Sequence, residues 1–122
     1  DDCGIAALAM LLSVAYEDVA PIVLDGSPFD GTTVTHARKV AREHDECLRL
    51  WNCTASNRDA VVRRLMGRPA VLVVPAQDHK ISGEYHALYW SGKHILDPSP
   101  HRKYGRKGTK ALKTFTEAWV LA

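Results

Sequence analysis

The sequence has few cysteines and no pair of them at close spacing, which excludes two classes of small protein. Its 122 residues include only three cysteines, Cys3, Cys47 and Cys53. An odd number of cysteines without a CxxC pair fits neither a disulfide framework nor a typical zinc site. We therefore expect free thiols and a reducing compartment, which for this chain indicates the cytoplasm.

The sequence also lacks a strong net charge, a long apolar run and any internal repeat. A formal charge of +2 is too small to predict nucleic-acid binding by itself. The longest apolar run covers about twelve residues at the start of the chain, too few to cross a bilayer. With 46% hydrophobic and 25% charged residues, the composition predicts a single globular domain over residues 1–122. Because the first predicted helix starts so early, we expect the chain to be part of a longer protein, with an upstream segment absent.

That apolar run predicts a buried helix with Cys3 in its first turn. Every residue of 5–12 is apolar, which leaves no exposed face. Asp1 and Asp2 suit the helix cap and first turn, and the positive end of the helix dipole favours a thiolate at Cys3. An inert core cysteine is the alternative, since free cysteines are often buried. A signal peptide does not fit, because the flank is acidic.

Three further helices follow from local patterns. Residues 16–24 fit a short helix, although Pro21 near its middle opposes one. Apolar residues recur at spacings of three and four in residues 34–44, which predicts an amphipathic helix with Thr32 or Thr33 as its cap. Residues 58–66 form the next predicted helix, which is capped by Ser56 or Asn57 and ended by Gly67. Its apolar residues are predicted to face the core: Val61, Val62, Leu65 and Met66.

Strands dominate the second half of the chain. Residues 47–51 alternate polar with apolar, and 69–75 form a β-branched run that predicts a central strand covered on both faces. After a polar loop from Gln77 to Glu84, residues 85–97 predict a hairpin. A basic loop, Arg102 to Lys113, precedes the apolar segment 115–120. Helices first and strands later predict an α+β fold with a mainly antiparallel sheet.

The hairpin predicts one specific pair of polar residues. If Ser91 and Gly92 are the two loop residues, His86 pairs with Asp97 on the face that Leu88 also occupies. A carboxylate there would orient the imidazole as the third group of a catalytic triad does. We expect a four-residue loop to keep this pairing and a three-residue loop to break it. The alternative is a surface ion pair of little energetic value.

Among the three cysteines, only Cys3 has a setting suited to a nucleophile. The stretch from Asp2 to Met10, His86 followed by apolar residues, and Asp97-Pro98 together resemble the papain-like cysteine peptidases. The similarity is greatest to the double-glycine leader peptidases, which are N-terminal domains of bacteriocin-exporting ABC transporters or stand-alone relatives. The resemblance implies that Cys3 is the nucleophile, His86 the general base and acid, and Asp97 its orienting group.

The sequence departs from this family at one position. The family places an oxyanion-hole Gln a few residues before the nucleophile, and this sequence begins two residues before Cys3. Gln77 lies on the wrong element to replace it. A lost donor would lower turnover by roughly two to three orders of magnitude. Two alternatives to a peptidase therefore remain: a catalytically silent peptidase-like module that binds peptides or a partner domain, and a deamidase or transamidase effector domain that uses the same thioester.

Other candidate sites carry weaker signals. The remaining histidines do not recur at metal-ligand spacing with Cys or carboxylates, so we expect neither a metal nor another cofactor; they are His36, His44, His79, His94 and His101. The basic segment Arg102 to Lys113 is expected to be a solvated loop, and its functional alternatives are an acidic partner or, less favoured, nucleic-acid phosphates. The three Trp residues are expected to pack in the core or at its rim.

Overall fold

The computed structural model describes residues 3–24, 32–75, 85–96 and 109–122. The elements of these segments are α1 (Cys3–Leu12), α2 (Tyr16–Leu24), α3 (Val34–Glu43), β1 (Leu48–Asn52), α4 (Arg58–Leu65), β2 (Ala70–Pro75), β3 (Tyr85–Trp90), β4 (Ile95–Leu96), α5 (Thr109–Thr114) and β5 (Glu117–Leu121). Helices therefore precede most of the strands, and the predicted α+β class is confirmed.

The five strands form one antiparallel sheet in the order β1-β5-β2-β3-β4. The run of β-branched residues in β2 lies at its centre. Val71, Leu72 and Val74 are fully buried there, as expected for a strand covered on both faces. The predicted central strand is confirmed, and β1 lies at one edge of the sheet.

Two layers of helices cover the sheet. Side chains of α1, α2 and α3 form one core cluster with sheet residues that include Val71, Ala87 and Trp119. Side chains of α4 and α5 form a second cluster with Leu72, Leu88 and others on the opposite face. Because successive residues of a strand point to opposite faces, each central strand contributes to both cores.

The first helix is buried as its sequence predicts, with one exception. Gly4, Ile5 and Leu8 are buried, and a Cβ added at Gly4 would lie only 2.6 Å from the Cβ of Thr32. Glycine therefore permits the segment before α3 to pack directly on the first turn of α1. Met10 is 39% exposed, so the expectation of no exposed face was wrong at that position. The predicted caps Asp1 and Asp2 lie outside the described residues.

The second and third helices confirm their predictions. Pro21 lies inside α2 with its side chain exposed, so the missing N–H costs one intrahelical bond without a clash in the core. Thr33 is the N-cap of α3: its Oγ1 accepts a bond from the His36 backbone N–H, and His36 Nδ1 accepts one from the Thr33 N–H. This reciprocal pair is a capping box with histidine in place of the usual glutamate.

The fourth helix is one residue shorter than predicted, and its cap works differently. Asn57 occupies the N-cap position, but its side chain makes no cap bond. Instead Asn57 accepts a bond from Thr54 N–H and donates one to the carbonyl of Asn52. The helix ends at Leu65, so Met66 is 52% exposed and the prediction that it points inward was wrong.

The β3–β4 hairpin forms, but its register differs from the prediction by two positions. Tyr89 pairs with Leu96 and Trp90 with Ile95, so the loop has four residues instead of two. Ser91 closes this wider loop, because its Oγ accepts bonds from the N–H groups of Lys93 and His94. A four-residue loop therefore does not keep the predicted pairing, although it does keep Ile95 on the face of Leu88.

Part of the predicted basic loop is helical. Lys110 and Lys113 lie on α5, with exposed side chains. Two fully buried side chains anchor α5: Ala111 within it and Phe115 just after it. Residues 97–108 lie outside the described residues. Within the described segments, no helix has the length and apolar character needed to cross a membrane.

Candidate functional site

Cys3 is the first residue of α1 and lies beside the start of β3. Its side chain is partly buried and it forms no disulfide bond. The Sγ accepts a hydrogen bond from the backbone N–H of Ala87, with an N-to-S distance of 3.5 Å. Folding thus brings the thiol to the residue that directly follows His86, across 84 positions of sequence.

The hydrogen-bond pattern of the sheet shows on which side of β3 the sulfur lies. Val73 is paired with Ala87 across the β2–β3 ladder, and its carbonyl accepts a bond from Thr116 N–H, toward β5. In an antiparallel pair, opposite residues either both bond to each other or both point away. Since Val73 bonds toward β5, Val73 and Ala87 do not bond to each other, and the Ala87 N–H points away from β2. Since this N–H lies in the plane of the sheet, the sulfur of Cys3 lies beside β3, on the side of β4.

His86 is only 1% exposed and is the one buried charged or polar side chain among the described residues. Alternation along β3 assigns it to the face of Leu88 and Trp90, whereas Ala87 faces α1. Cys3 itself packs against the core cluster on the α1 face of the sheet. One peptide unit separates the Ala87 nitrogen from the His86 Cα, so Sγ lies within about 6 Å of that carbon.

The third predicted site residue, Asp97, lies outside the described residues. It directly follows β4 in the sequence. The predicted ladder pair between His86 and Asp97 required a two-residue loop, and the observed pairs of Tyr89 and Trp90 belong to a different register. The pairing argument for Asp97 was therefore wrong, while its role as an orienting group remains a prediction. Gln77 also lies outside the described residues.

The other two cysteines lie at the two ends of β1 and differ in environment. None of the three cysteines forms a disulfide bond, as the sequence predicts. Cys47 is exposed, whereas Cys53 is 7% exposed. Burial raises the pKa of the Cys53 thiol, and the nearby Arg58 guanidinium opposes this rise only in part. Cys53 is thus held as a neutral thiol in the second core, which is unsuited to nucleophilic chemistry.

Arginines cluster around Trp51, a contact that the sequence did not indicate. The guanidinium of Arg64 lies 4.0 Å from the centre of a Trp51 ring, and that of Arg68 lies 5.0 Å from it. Arg68 also donates a hydrogen bond to the Leu121 carbonyl. Arg64 and Arg68 are four residues apart, but Trp51 comes from another element, so sequence spacing alone gave no signal for this contact.

Trp90 and Trp119 are 1% and 2% exposed, which confirms their predicted place in the core. Trp90 Nε1 donates to the Leu65 carbonyl, so its polar atom is satisfied. Among the described residues, no group of three His, Cys, Asp or Glu side chains could hold a metal ion. No protein-family model and no curated protein matches the sequence.

Proposed function

We propose that this protein is a papain-like cysteine peptidase in which Cys3 attacks an acyl carbon and His86 moves the protons. The supporting observation is the contact between Cys3 Sγ and the Ala87 amide, which brings the thiol at the start of α1 to the neighbour of His86. The proposed substrate is a peptide or a precursor protein. By its resemblance to the double-glycine leader peptidases, the site would cut after paired glycines.

The chemistry proceeds through a thioester. His86 removes the proton of Cys3, and the thiolate adds to the substrate carbonyl. The tetrahedral intermediate collapses as the C–N bond breaks, and the imidazolium gives its proton to the leaving amine. Water, deprotonated by His86, then adds to the thioester, and the thiolate leaves with release of the acid. Asp97 is proposed to hold the imidazole in the productive tautomer.

Two features of the described residues favour the thiolate form of Cys3. The first turn of a helix presents unpaired N–H groups and the positive end of its dipole. The Ala87 N–H adds a donor aimed at the sulfur itself, and hydrogen bonds to a charged form stabilise that form. The sulfur is therefore held by two separate elements, α1 and β3.

The decisive experiment compares the reactivity of the partly exposed Cys3 with that of the exposed Cys47, and the activity of a single variant of each. Iodoacetamide labelling followed by peptide mapping should show Cys3 alkylated at pH 6 at least about tenfold faster than Cys47, since only the thiolate reacts. A peptide pool containing Gly-Gly sites should be cleaved by the wild type and by Cys47→Ala, but not by Cys3→Ala. Equal labelling of Cys3 and Cys47, or cleavage that survives Cys3→Ala, would refute the proposal.

One observation favours a second candidate, a catalytically silent peptidase-like module. Strand alternation assigns His86 to the face opposite α1, and its side chain is almost fully buried. An imidazole held in this position would help to fill the second core without exchanging protons with Cys3. In that case Cys3 would react like an ordinary thiol and no peptide in the pool would be cleaved. A gain of one mass unit on glutamine without chain cleavage would instead identify a deamidase.

A further inference from the structure

The outer edge of β1 carries a row of backbone groups that point away from the sheet. Cys47 and Cys53 flank this strand and bond to the two residues that flank β5: the Cys47 carbonyl accepts from Ala122 N–H, and Cys53 N–H donates to the Thr116 carbonyl. Since bonding direction alternates along an antiparallel strand, Arg49 and Trp51 also bond toward β5. The backbone groups of Leu48, Leu50 and Asn52 therefore face outward.

This edge has a defined length. The Asn52 carbonyl accepts a bond from the Asn57 side chain, which closes the edge at its C-terminal end. Within the described segments, no hydrogen bond is formed by the outward N–H and C=O groups of Leu48 and Leu50 or by the N–H of Asn52. Five backbone groups are thus available to a neighbouring strand. Such an edge is a template for strand addition.

The two faces beside this edge differ in chemistry. Arg49 and Trp51 point to the face of α4, where Arg64 lies over the Trp51 ring at 4.0 Å. Arg49 and Arg64 are exposed and form no ion pair with any described residue. Leu50 lies on the opposite face, partly buried against α3 and its neighbours. One face of the edge is therefore cationic and the other apolar.

We propose that the edge of β1 binds an extended segment of a partner protein in which acidic and apolar residues alternate. Its backbone would add a sixth strand to the sheet. Because strand side chains alternate between faces, its carboxylates would meet Arg49 and Arg64 while its apolar side chains cover Leu50. The planar guanidinium of Arg64, already stacked on Trp51, retains its N–H donors for a carboxylate.

Charge argues against a second copy of this chain as the occupant. Antiparallel pairing of two β1 strands would bring the Arg49 and Arg64 side chains of both copies onto one face, where like charges repel. Asp45 and Glu46, which directly precede β1, are both exposed. An acidic segment therefore fits the Trp51 end of the edge better than the Cys47 end. The surface lies at the edge of the sheet opposite Cys3 and is independent of the proposed chemistry.

Fluorescence anisotropy with a labelled peptide of alternating Glu and Val residues tests this proposal. The wild type should bind this peptide at least about tenfold more tightly than a matched Lys-Val peptide. Arg49→Glu should weaken binding by roughly tenfold, whereas Lys93→Glu makes the same change of charge in the loop between β3 and β4, three strands away from β1, and should have little effect. Equal weakening by both variants would refute a site at β1.

Amide exchange measured by NMR distinguishes strand addition from simple electrostatic attraction. In the free protein, the Leu48, Leu50 and Asn52 amides should exchange faster than those of Arg49 and Trp51, which bond to β5. Saturation with the Glu-Val peptide should slow exchange of the outward amides by about tenfold or more. Binding without this added protection, or self-association of the chain through β1, would overturn the proposal.

Discussion

The two edges of the sheet contrast in how their backbone groups are used. At the edge formed by β4 and the start of β3, the Ala87 amide donates to a side chain, Cys3 Sγ, supplied by α1. At the β1 edge, the outward groups of Leu48 and Leu50 have no partner in the described part of the chain. Among the described residues, a thiol therefore occupies an amide at one edge, while the outward groups of the other edge stay unpaired.

The contrast follows from how the helices lie on the sheet. The N-terminus of α1 meets β3, and both Cys3 and His86 are consequently held in partly or fully buried surroundings. The residues of β1 that flank its open edge include the exposed Arg49 and Asn52. Reactive groups need a protected position, whereas strand addition needs an accessible one. The two edges therefore suit different tasks, and four variants or measurements sharpen the comparison.

The largest effect is expected for His86→Leu on β3. Loss of the proposed general base should lower peptide turnover by about 10²–10⁴-fold. The variant places an apolar side chain of similar size in a buried position, so the chain should still fold. Turnover and melting temperature are measured together. A stable variant with undiminished turnover would assign His86 to packing alone.

The loop between β3 and β4 should tolerate substitution poorly. A Cβ at Gly92 would lie 2.9 Å from the backbone carbon of Gly67, and the φ angle of Gly92 is +100°. Gly92→Ala should therefore lower the free energy of unfolding in urea by about 2–4 kcal/mol. Gly67→Ala is the matched control, because Gly67 also has a positive φ but its Cβ would meet nothing within 4 Å. We expect a loss of about 1 kcal/mol there, and equal losses would contradict the close packing of the two glycines.

Proline substitution tests the bonding directions along β1. The Arg49 N–H points to β5, so Arg49→Pro should remove a ladder bond and cost about 3 kcal/mol. The Asn52 N–H points outward, so Asn52→Pro should cost about 1 kcal/mol or less. Both side chains are exposed, which makes the pair well matched in urea denaturation. The reverse order of costs would show that the open edge is assigned to the wrong residues.

The smallest expected effect concerns Cys53 at the end of β1. Burial raises the pKa of this thiol in the folded state, so folding favours its neutral form. That contribution to stability is complete below the pKa of the unfolded thiol and is lost as the pH rises through the higher folded value. Urea denaturation should thus show an alkaline loss of stability that Cys53→Val abolishes and Cys47→Val retains. An unchanged alkaline loss in Cys53→Val would exclude Cys53 as its source.

Local patterns predicted most elements because they depend on nearby residues. The apolar run after Cys3, the cap at Thr33 and the β-branched run of β2 each specify a backbone conformation within a few positions. The errors arose where a distant or competing contact decided the outcome. Ser91 Oγ bonds to Lys93 and His94 and opens the hairpin loop to four residues, which no count of alternating residues could foresee.

The candidate site shows the same division. The sequence identified Cys3 as the thiol at a helix start and His86 as the histidine of a strand. It also predicted that His86 shares the face of Leu88. It did not indicate that this face lies opposite α1, nor that the Ala87 amide would donate a hydrogen bond to the sulfur. Side-chain direction at this point depends on how α1 crosses β3, a contact between segments more than eighty residues apart.

By itself, the sequence determined the α+β class, the central place of β2 and the absence of a disulfide bond among the three cysteines. Only the tertiary structure decided which backbone groups of β1 face outward, on which side of β3 the sulfur lies, and that Arg64 stacks on Trp51. Conformational preference is a local property of the chain, so it can be read along the sequence. Bonding direction and cross-element contacts depend on the register in which distant strands pair, and that register is fixed only when both cores close around the sheet.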